Sequence, residues 1–137
     1  MGTTRKKPSS SYGAKRPQPA FRVSESGSAG MFLGEKLHRL IAEFGNNRVA
    51  RLLGVSPSQP SRWQKGEERI SAENQRGLLD LDYVMARLLQ LFPQEQAEIW
   101  LTSHNAYLGA RPVDVLRLRG AATVVQAIDA EAQDAYA

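Results

Sequence analysis

Cysteine is absent from this 137-residue chain, and histidine occurs only at His38 and His104. Without cysteine, disulfides, thiol catalysis and thiolate metal sites are excluded. Two imidazoles are too few for a dedicated zinc or copper site, which normally combines several histidine or cysteine ligands. We therefore predict neither a bound metal nor a cofactor.

Catalytic motifs are absent as well. The sequence has no Gly-rich phosphate loop, no G-x-G-x-x-G pattern and no H-E-x-x-H pattern. No series of nucleophile, base and orienting group surrounds His104, which we interpret as a polar surface residue. These absences predict a binding protein and not an enzyme, with no catalytic residues.

Long apolar runs are also lacking. No stretch of about 18 apolar residues is present, so we expect no membrane-spanning helix. The basic N-terminal region is not followed by the apolar segment that a secretory signal needs. We therefore expect a cytoplasmic protein with no membrane partner.

The first 30 residues have the composition of a disordered basic arm. Residues 1–30 carry six basic side chains and one acidic side chain, Glu25, and 13 of the 30 are Ser, Gly or Pro. Such a segment buries too little apolar surface to offset its loss of conformational entropy. It is either a solvated tail of little consequence or an arm that attracts phosphate groups irrespective of sequence.

The remaining residues divide into a basic part and an acidic part. Residues 31–76 have eight basic and five acidic side chains, whereas residues 77–137 have four basic and eight acidic ones. These opposite charges indicate two different partners, and the acidic part favours a protein. We predict one domain at 31–76 and a second at 77–137.

Apolar residues recur at three- and four-residue spacing from Met31 onward, and no segment shows sustained alternation. This pattern predicts an all-α fold. The predicted helices are 31–44, 48–53, 57–66, 72–92, 93–100, 112–119 and a last one after Gly120. The predicted N-caps are Asn46 or Asn47 for the second helix, Ser56 for the third and Ser71 for the fourth.

Residues 46–63 have the features of two short helices joined by a tight turn. Ala50 supplies a small side chain where the helices cross, Gly54 tolerates the positive φ of the turn, and Val55 locks the pair. The side chains predicted to seal the underside are Val49, Leu53 and Trp63. The segment resembles the helix-turn-helix of the Xre-type (Cro/repressor-like) DNA-binding family, whose second helix enters the major groove.

This resemblance implies a set of polar side chains that face operator DNA. They are Ser56, Ser58, Gln59, Ser61, Arg62 and Lys65, together with Arg48 at the start of the first helix. Arg62 supplies the guanidinium for a guanine, and backbone N–H groups near Arg48 can hold a phosphate. Pro60 stands where the family has Val or Ile, so we expect a lost packing group at the helix contact. A helix-turn-helix retained only for packing is the alternative.

The back half carries a second, ordered set of marks. They are Trp100-Leu101, Asn105 with Leu108-Gly109, Arg111-Pro112 opening a helix that ends near Gly120, and a closing apolar helix. Behind a helix-turn-helix, this order resembles the C-terminal toxin-binding domain of the Xre/MbcA/ParS antitoxins. The resemblance extends over about residues 31–137. It implies that the partner is a RES-domain toxin, which destroys NAD and which the antitoxin neutralises by direct contact.

The resemblance and the local chemistry together give an expected toxin-binding set. It comprises Trp100, Asn105, Tyr107, Arg111, Ile128, Asp129, Glu131, Asp134, Tyr136 and Ala137. The predicted docking stripe of the last helix is Val124, Val125 and Ile128. The acidic tail after it can occupy the cationic groups that bind the pyrophosphate of NAD, with Tyr136 stacking in place of a dinucleotide ring. Plainer roles remain open, with Trp100 in the core and Asn105 capping the turn around Tyr107.

Two functional hypotheses emerge. The first is an antitoxin whose front half binds operator DNA and whose back half covers a NAD-degrading enzyme. The second is a stand-alone helix-turn-helix transcription regulator whose back half dimerises or senses a small molecule. We also expect a homodimer within a larger toxin–antitoxin complex, because the helix at 72–92 has apolar residues outside its main stripe, including Leu79, Leu89 and Leu91.

Overall fold

The computed structural model describes the backbone of residues 26–135. These residues form seven helices: α1 Ser26–Phe44, α2 Asn46–Leu53, α3 Gln59–Gln64, α4 Ala72–Leu88, α5 Gln94–Thr102, α6 Pro112–Arg119 and α7 Ala121–Ala135. The described residues include no strand, and a single isolated bridge joins Asn105 to Ala110. The predicted all-α fold is confirmed. None of the described helices has the length and apolarity needed to cross a bilayer.

The predicted ends of α6 and the predicted N-cap of α4 agree with the structure. Helix α6 spans the predicted residues, and Ser71 Oγ accepts a hydrogen bond of 3.1 Å from the backbone N–H of Asn74 at the start of α4. Gly120, which follows α6, has a φ of 87°. These residues fix helix ends through local geometry alone, so the sequence is sufficient to place them.

Other helix ends differ from the prediction. Helix α1 begins at Ser26, inside the segment predicted to be a disordered arm, and residues 1–25 of that arm lie outside the described residues. Helix α4 ends at Leu88 instead of continuing to Phe92, because the backbone tightens into shorter turns after Leu88.

The N-caps predicted for α2 and α3 are wrong. Gly45 is the N-cap of α2, so Asn46 already lies inside the helix, and no side chain caps it. Helix α3 begins at Gln59 with Ser58 as its N-cap. The backbone N–H of Gln59 donates to Ser56 O at 3.0 Å, so Ser56 opens a turn ahead of the helix and does not cap it.

Helix α4 provides the central apolar surface of residues 36–137, which form one compact unit. Its buried apolar side chains are Leu78, Leu81, Val84, Met85 and Leu88. It packs against α2, α6 and α7. The predicted boundary at 76/77 falls inside α4, so both predicted domains contribute to this one compact unit. That the chain divides its functions at 76/77 remains a prediction.

A buried carboxylate fixes α1 against α4. Asp82 is 8% exposed and accepts from Lys36 Nζ at 2.8 Å and from Arg39 Nη2 at 2.6 Å. A buried charge is tolerated only when it is paired and hydrogen-bonded, and Asp82 meets that condition with two cations. These two bonds therefore hold residues 36–44 of α1 against α4.

The turn between α2 and α3 follows the sequence prediction in part. Gly54 has a φ of 74°, and the backbone N–H of Val55 donates to Ala50 O at 2.9 Å, which closes the end of α2. Val49 and Trp63 are buried as predicted, but Leu52 takes the core position that we predicted for Leu53. The expected lost packing group at Pro60 is also wrong, because the proline ring itself is fully buried.

Arg117 of α6 contacts the same turn between α2 and α3. Its Nη1 donates to the carbonyl oxygens of Arg51 at 3.3 Å and Leu52 at 3.2 Å, which lie in the last turn of α2. A Cβ at Gly54 would lie only 3.2 Å from Cδ and Nη1 of Arg117. Position 54 therefore needs glycine for two reasons, its positive φ and this close approach.

We predict that Gly54→Ala lowers the free energy of unfolding by about 1–2 kcal/mol from the left-handed backbone alone. Displacement of Arg117 should add to this cost, since the guanidinium must give up its bonds to α2. Urea unfolding of Gly54→Ala in the wild-type and Arg117→Ala backgrounds separates the two parts. The cost should be smaller in the Arg117→Ala background, and equal costs would show that Arg117 does not press on position 54.

Candidate functional site

The turn before α3 and the start of that helix present most of the residues predicted to face DNA. Ser56, Ser58 and Lys65 are exposed, whereas Gln59, Ser61 and Arg62 are half-buried. Lys65 directly follows α3, and Arg48 lies on α2, where its Nη1 is 3.4 Å from Glu98 Oε1 of α5. The structure thus brings the predicted α3 set together, while Arg48 is engaged with the acidic part of the chain.

A carboxylate that we did not predict organises this surface. Glu68 Oε1 accepts from Arg62 Nε at 2.9 Å. Its Oε2 accepts from Gln59 Nε2 at 2.8 Å and from Trp63 Nε1 at 3.1 Å. Arg62 Nη1 also donates to Ser58 Oγ at 2.6 Å. The two side chains best suited to bidentate base contacts are therefore both tied to one carboxylate.

The position of Glu68 depends on the turn that follows α3. Gly66 has a φ of 76°, and the backbone N–H of Glu67 donates to Arg62 O at 2.9 Å, so the chain doubles back beneath the helix. The hydrogen bond from Gln59 lowers the pKa of Glu68, and Arg62 and Trp63 lower it further. These hydrogen bonds therefore favour the ionised form of Glu68. No feature of the sequence distinguishes Glu68 from the adjacent Glu67 in this role.

The loop between α5 and α6 displays an exposed aromatic side chain. Asn105 Oδ1 accepts from the backbone N–H of Leu108 at 3.0 Å, and the Asn105 N–H donates to Ala110 O at 3.0 Å. Gly109, with a φ of 71°, lets the chain turn back. Asn105 thus caps the turn as its plainer role predicted, and Tyr107 at the tip is 62% exposed.

Arg111, the next predicted toxin-binding residue, is held at the start of α6. Its Nε and Nη2 donate to the two carboxylate oxygens of Asp114 at 2.8 and 3.0 Å. This two-point bond raises the pKa of Arg111 and lowers that of Asp114. Asp114 Oδ1 also accepts from Arg117 Nη2 at 2.8 Å, so the ion pair connects Arg111 with the arginine that caps α2.

Helix α7 separates core residues from exposed acidic ones. Ile128 is 2% exposed and Val124 is fully buried, so the prediction that they form a docking stripe is wrong. The stripe packs against the core because α7 contacts α4 and α6. Asp129 pairs with Arg87 of α4, and Asp134 is exposed.

Trp100 and Glu131 link α5 to α7. Trp100 is half-buried, which agrees with its plainer core role only in part, and its Nε1 donates to Glu131 Oε1 at 3.3 Å. Tyr136 and Ala137, the predicted end of the acidic plug, lie outside the described residues. No group of three or more histidine, aspartate or glutamate side chains in the described part of the chain is arranged to hold a metal ion.

The chain is similar to known antitoxins, both in a family model that matches its C-terminal part and in relatives that match most of its length. Residues 87–133 match the family model of the antitoxin Xre/MbcA/ParS C-terminal toxin-binding domain. The mycobacterial cidal antitoxin MbcA of Mycobacterium bovis is 32% identical over 89 residues, which cover 64% of this chain and 79% of that protein. The MbcA of Mycobacterium tuberculosis matches with the same identity and coverage.

A solved structure agrees with these sequence matches. One chain of the crystal structure of the M. tuberculosis MbcT–MbcA toxin–antitoxin complex aligns with a TM-score of 0.62 and 28% identity. The alignment covers 74% of this chain and 95% of that one. The resemblance inferred from Trp100, Asn105, Arg111 and the closing helix is thereby confirmed, and the chain belongs to the Xre/MbcA/ParS family of antitoxins.

Proposed function

We propose that this antitoxin neutralises a RES-domain, NAD-degrading toxin by direct contact and acts by binding, with no catalysis of its own. The observation that carries the proposal is the match of residues 87–133 to a toxin-binding domain. The similar chain of known structure comes from a toxin–antitoxin complex, which supports a protein partner of the same kind. The identity of the toxin as a RES-domain enzyme rests on the family resemblance.

The surface proposed to contact the toxin consists of three parts. They are the loop between α5 and α6 that displays Tyr107 (the Tyr107 loop), the side chain of Arg111, and the end of α7 that includes Asp134. A large exposed aromatic side chain such as Tyr107 is typical of a protein contact. Ile128 is left out because it is buried, and Asp129 and Glu131 have partners within the chain. Asp134 is the acidic side chain proposed to enter the NAD site, where cationic or N–H groups would otherwise bind pyrophosphate.

We predict that truncation after Gln133 abolishes inhibition of the toxin while the helical fold is kept. This cut removes Asp134 and the tail but leaves the bonds of Asp129 and Glu131 intact. A cut after Ile128 would remove those bonds as well, so it would be a less selective variant. NAD consumption by the purified toxin, measured with full-length or truncated chain, gives the answer.

Point variants serve as controls for the truncation. Asp134→Asn should weaken inhibition because it removes one exposed carboxylate, whereas Gln133→Ala, next to it and also exposed, should not. Equal inhibition by the full and truncated chains would show that the tail is not the plug. The block would then come from the body of residues 81–120, which includes the Tyr107 loop.

We further propose that α3 binds operator DNA and that the antitoxin thereby regulates its own operon. Ser56, Ser58 and Lys65 are exposed on the side that also holds Arg62. One short helix offers few base contacts, so we propose binding as a dimer to two half-sites about one helical turn apart. The basic residues that precede α1 would add phosphate contacts that do not depend on sequence.

We predict that Arg62→Ala weakens operator binding by about 1–3 kcal/mol if its guanidinium contacts a guanine. Arg69→Ala is the matched control, since Arg69 is an exposed arginine outside α3 and should cause a smaller, sequence-independent loss. Deletion of residues 1–22 should lower affinity for all DNA alike and flatten the salt dependence. A mobility-shift assay that detects no binding to upstream DNA, with or without toxin, would leave the helix-turn-helix a packing unit.

We predict that the isolated chain is a dimer. Leu79 and Tyr83 are 41% and 51% exposed and lie one turn apart on α4, away from its buried stripe. Covering such a pair with a second copy is favourable, because apolar area is removed from water. Light scattering at tens of micromolar should return twice the chain mass, and Leu79→Asp should return a monomer. A monomer mass for the wild-type chain would contradict this prediction.

A further inference from the structure

We propose that Glu68 is a positioning residue that sets the DNA specificity of α3. It holds the Arg62 side chain in position for contact with a guanine, and it fixes Gln59 as a link to the turn before the helix. This inference rests on the proposed binding of operator DNA. Glu68 lies outside α3 and next to a surface proposed to approach phosphate. A carboxylate there repels DNA, so its contribution to binding must come from what it holds in place.

The first support is the convergence of three donors on this one carboxylate. Gln59, Arg62 and Trp63 all donate to it at 2.8–3.1 Å. Trp63 is 6% exposed, so its bond anchors Glu68 to a ring that is packed in the core. Through Glu68, the half-buried side chains of Gln59 and Arg62 are therefore held to a side chain that is fixed in the core.

The second support is that only some N–H groups of the Arg62 guanidinium are hydrogen-bonded within the protein. Its Nε is used by Glu68, and Nη1 donates to Ser58 Oγ. Nη2 donates to no acceptor in the described part of the chain, and the side chain is 42% exposed. With Nε and one N–H of Nη1 engaged, Nη2 and the second N–H of Nη1 are left to reach the O6 and N7 atoms of guanine. Holding an arginine in this way reduces the conformational entropy lost on binding.

The third support concerns Gln59, whose amide is bonded at both ends. Its Oε1 accepts from the backbone N–H of Ser56 at 3.2 Å, and its Nε2 donates to Glu68. A bidentate contact with adenine requires both of these atoms. Gln59 therefore fixes the turn before α3 to Glu68, and base reading falls to Arg62.

Two matched variants separate positioning from simple charge. Glu68→Ala and Glu67→Ala each remove one carboxylate from adjacent residues that follow α3. Glu67 is exposed. If only charge matters, both variants should bind all DNA somewhat more tightly, with an unchanged ratio between operator and unrelated DNA. If Glu68 positions Arg62, Glu68→Ala alone should lower that ratio about tenfold.

A double-mutant cycle tests whether Glu68 affects DNA specificity through Arg62. In the Arg62→Ala background, Glu68→Ala should change the specificity ratio little, because the side chain through which it acts is gone. A merely structural role would lower binding by the same factor in both backgrounds. Helical circular dichroism confirms that each variant is folded, and Glu68→Gln replaces Glu68→Ala if the latter is not.

Equilibrium binding of wild type, the single variants and the double variant to operator and unrelated DNA decides the outcome. A collapse of the specificity ratio in Glu68→Ala, absent from Glu67→Ala and from the Arg62→Ala background, supports the proposal. Wild-type binding with equal behaviour of the two glutamate variants overturns it and leaves operator binding intact. Absence of binding by the wild-type chain overturns operator binding itself, and the positioning role with it.

Discussion

The buried face of α4 is the constraint on which the rest of residues 36–137 depends. Its five apolar core side chains are almost inaccessible to solvent, and they meet α2 on one side and α6 and α7 on others. Each fully buried leucine or valine contributes about 1.5–3 kcal/mol through the area removed from water. Helix α2 and the helices α6 and α7, which lie in the region matched by the toxin-binding domain model, thus share one core, so neither part needs a core of its own.

Ion pairs between distant segments add orientation to this shared core. They are Asp82 with Lys36 and Arg39, Arg48 with Glu98, and Arg87 with Asp129. The more exposed pairs, Arg48 with Glu98 and Arg87 with Asp129, contribute little to stability, whereas the buried Asp82 needs both of its cations. All of these pairs help to select one arrangement of the helices. Two linked ion pairs join Arg111, Asp114 and Arg117. They connect a proposed toxin-binding residue with the carbonyl groups at the end of α2. A toxin that engages Arg111 would therefore act close to the turn that we propose to approach DNA.

Residues with strong local preferences were predictable from the sequence, and residues that depend on distant partners were not. Pro112, Ser71 and Gly54 impose backbone geometry by themselves, and the structure places them as predicted. Ile128 and Leu52 were misjudged, because the face of a short helix that is buried depends on which helices pack against it. Glu68 was missed for a similar reason, since its three donors meet it only after the turn at Gly66 doubles back.

Amide hydrogen exchange of the free chain tests the shared core most directly. If α4 makes residues 36–137 one cooperative unit, the protected amides of Val49 in α2 and of Val124 in α7 should open with the same free energy, equal to that of global unfolding. Val49 and Val124 are both fully buried, so each reports on the core and not on a fraying end. An opening free energy for α7 well below that of α2, or the reverse, would show two independent units and contradict the shared core.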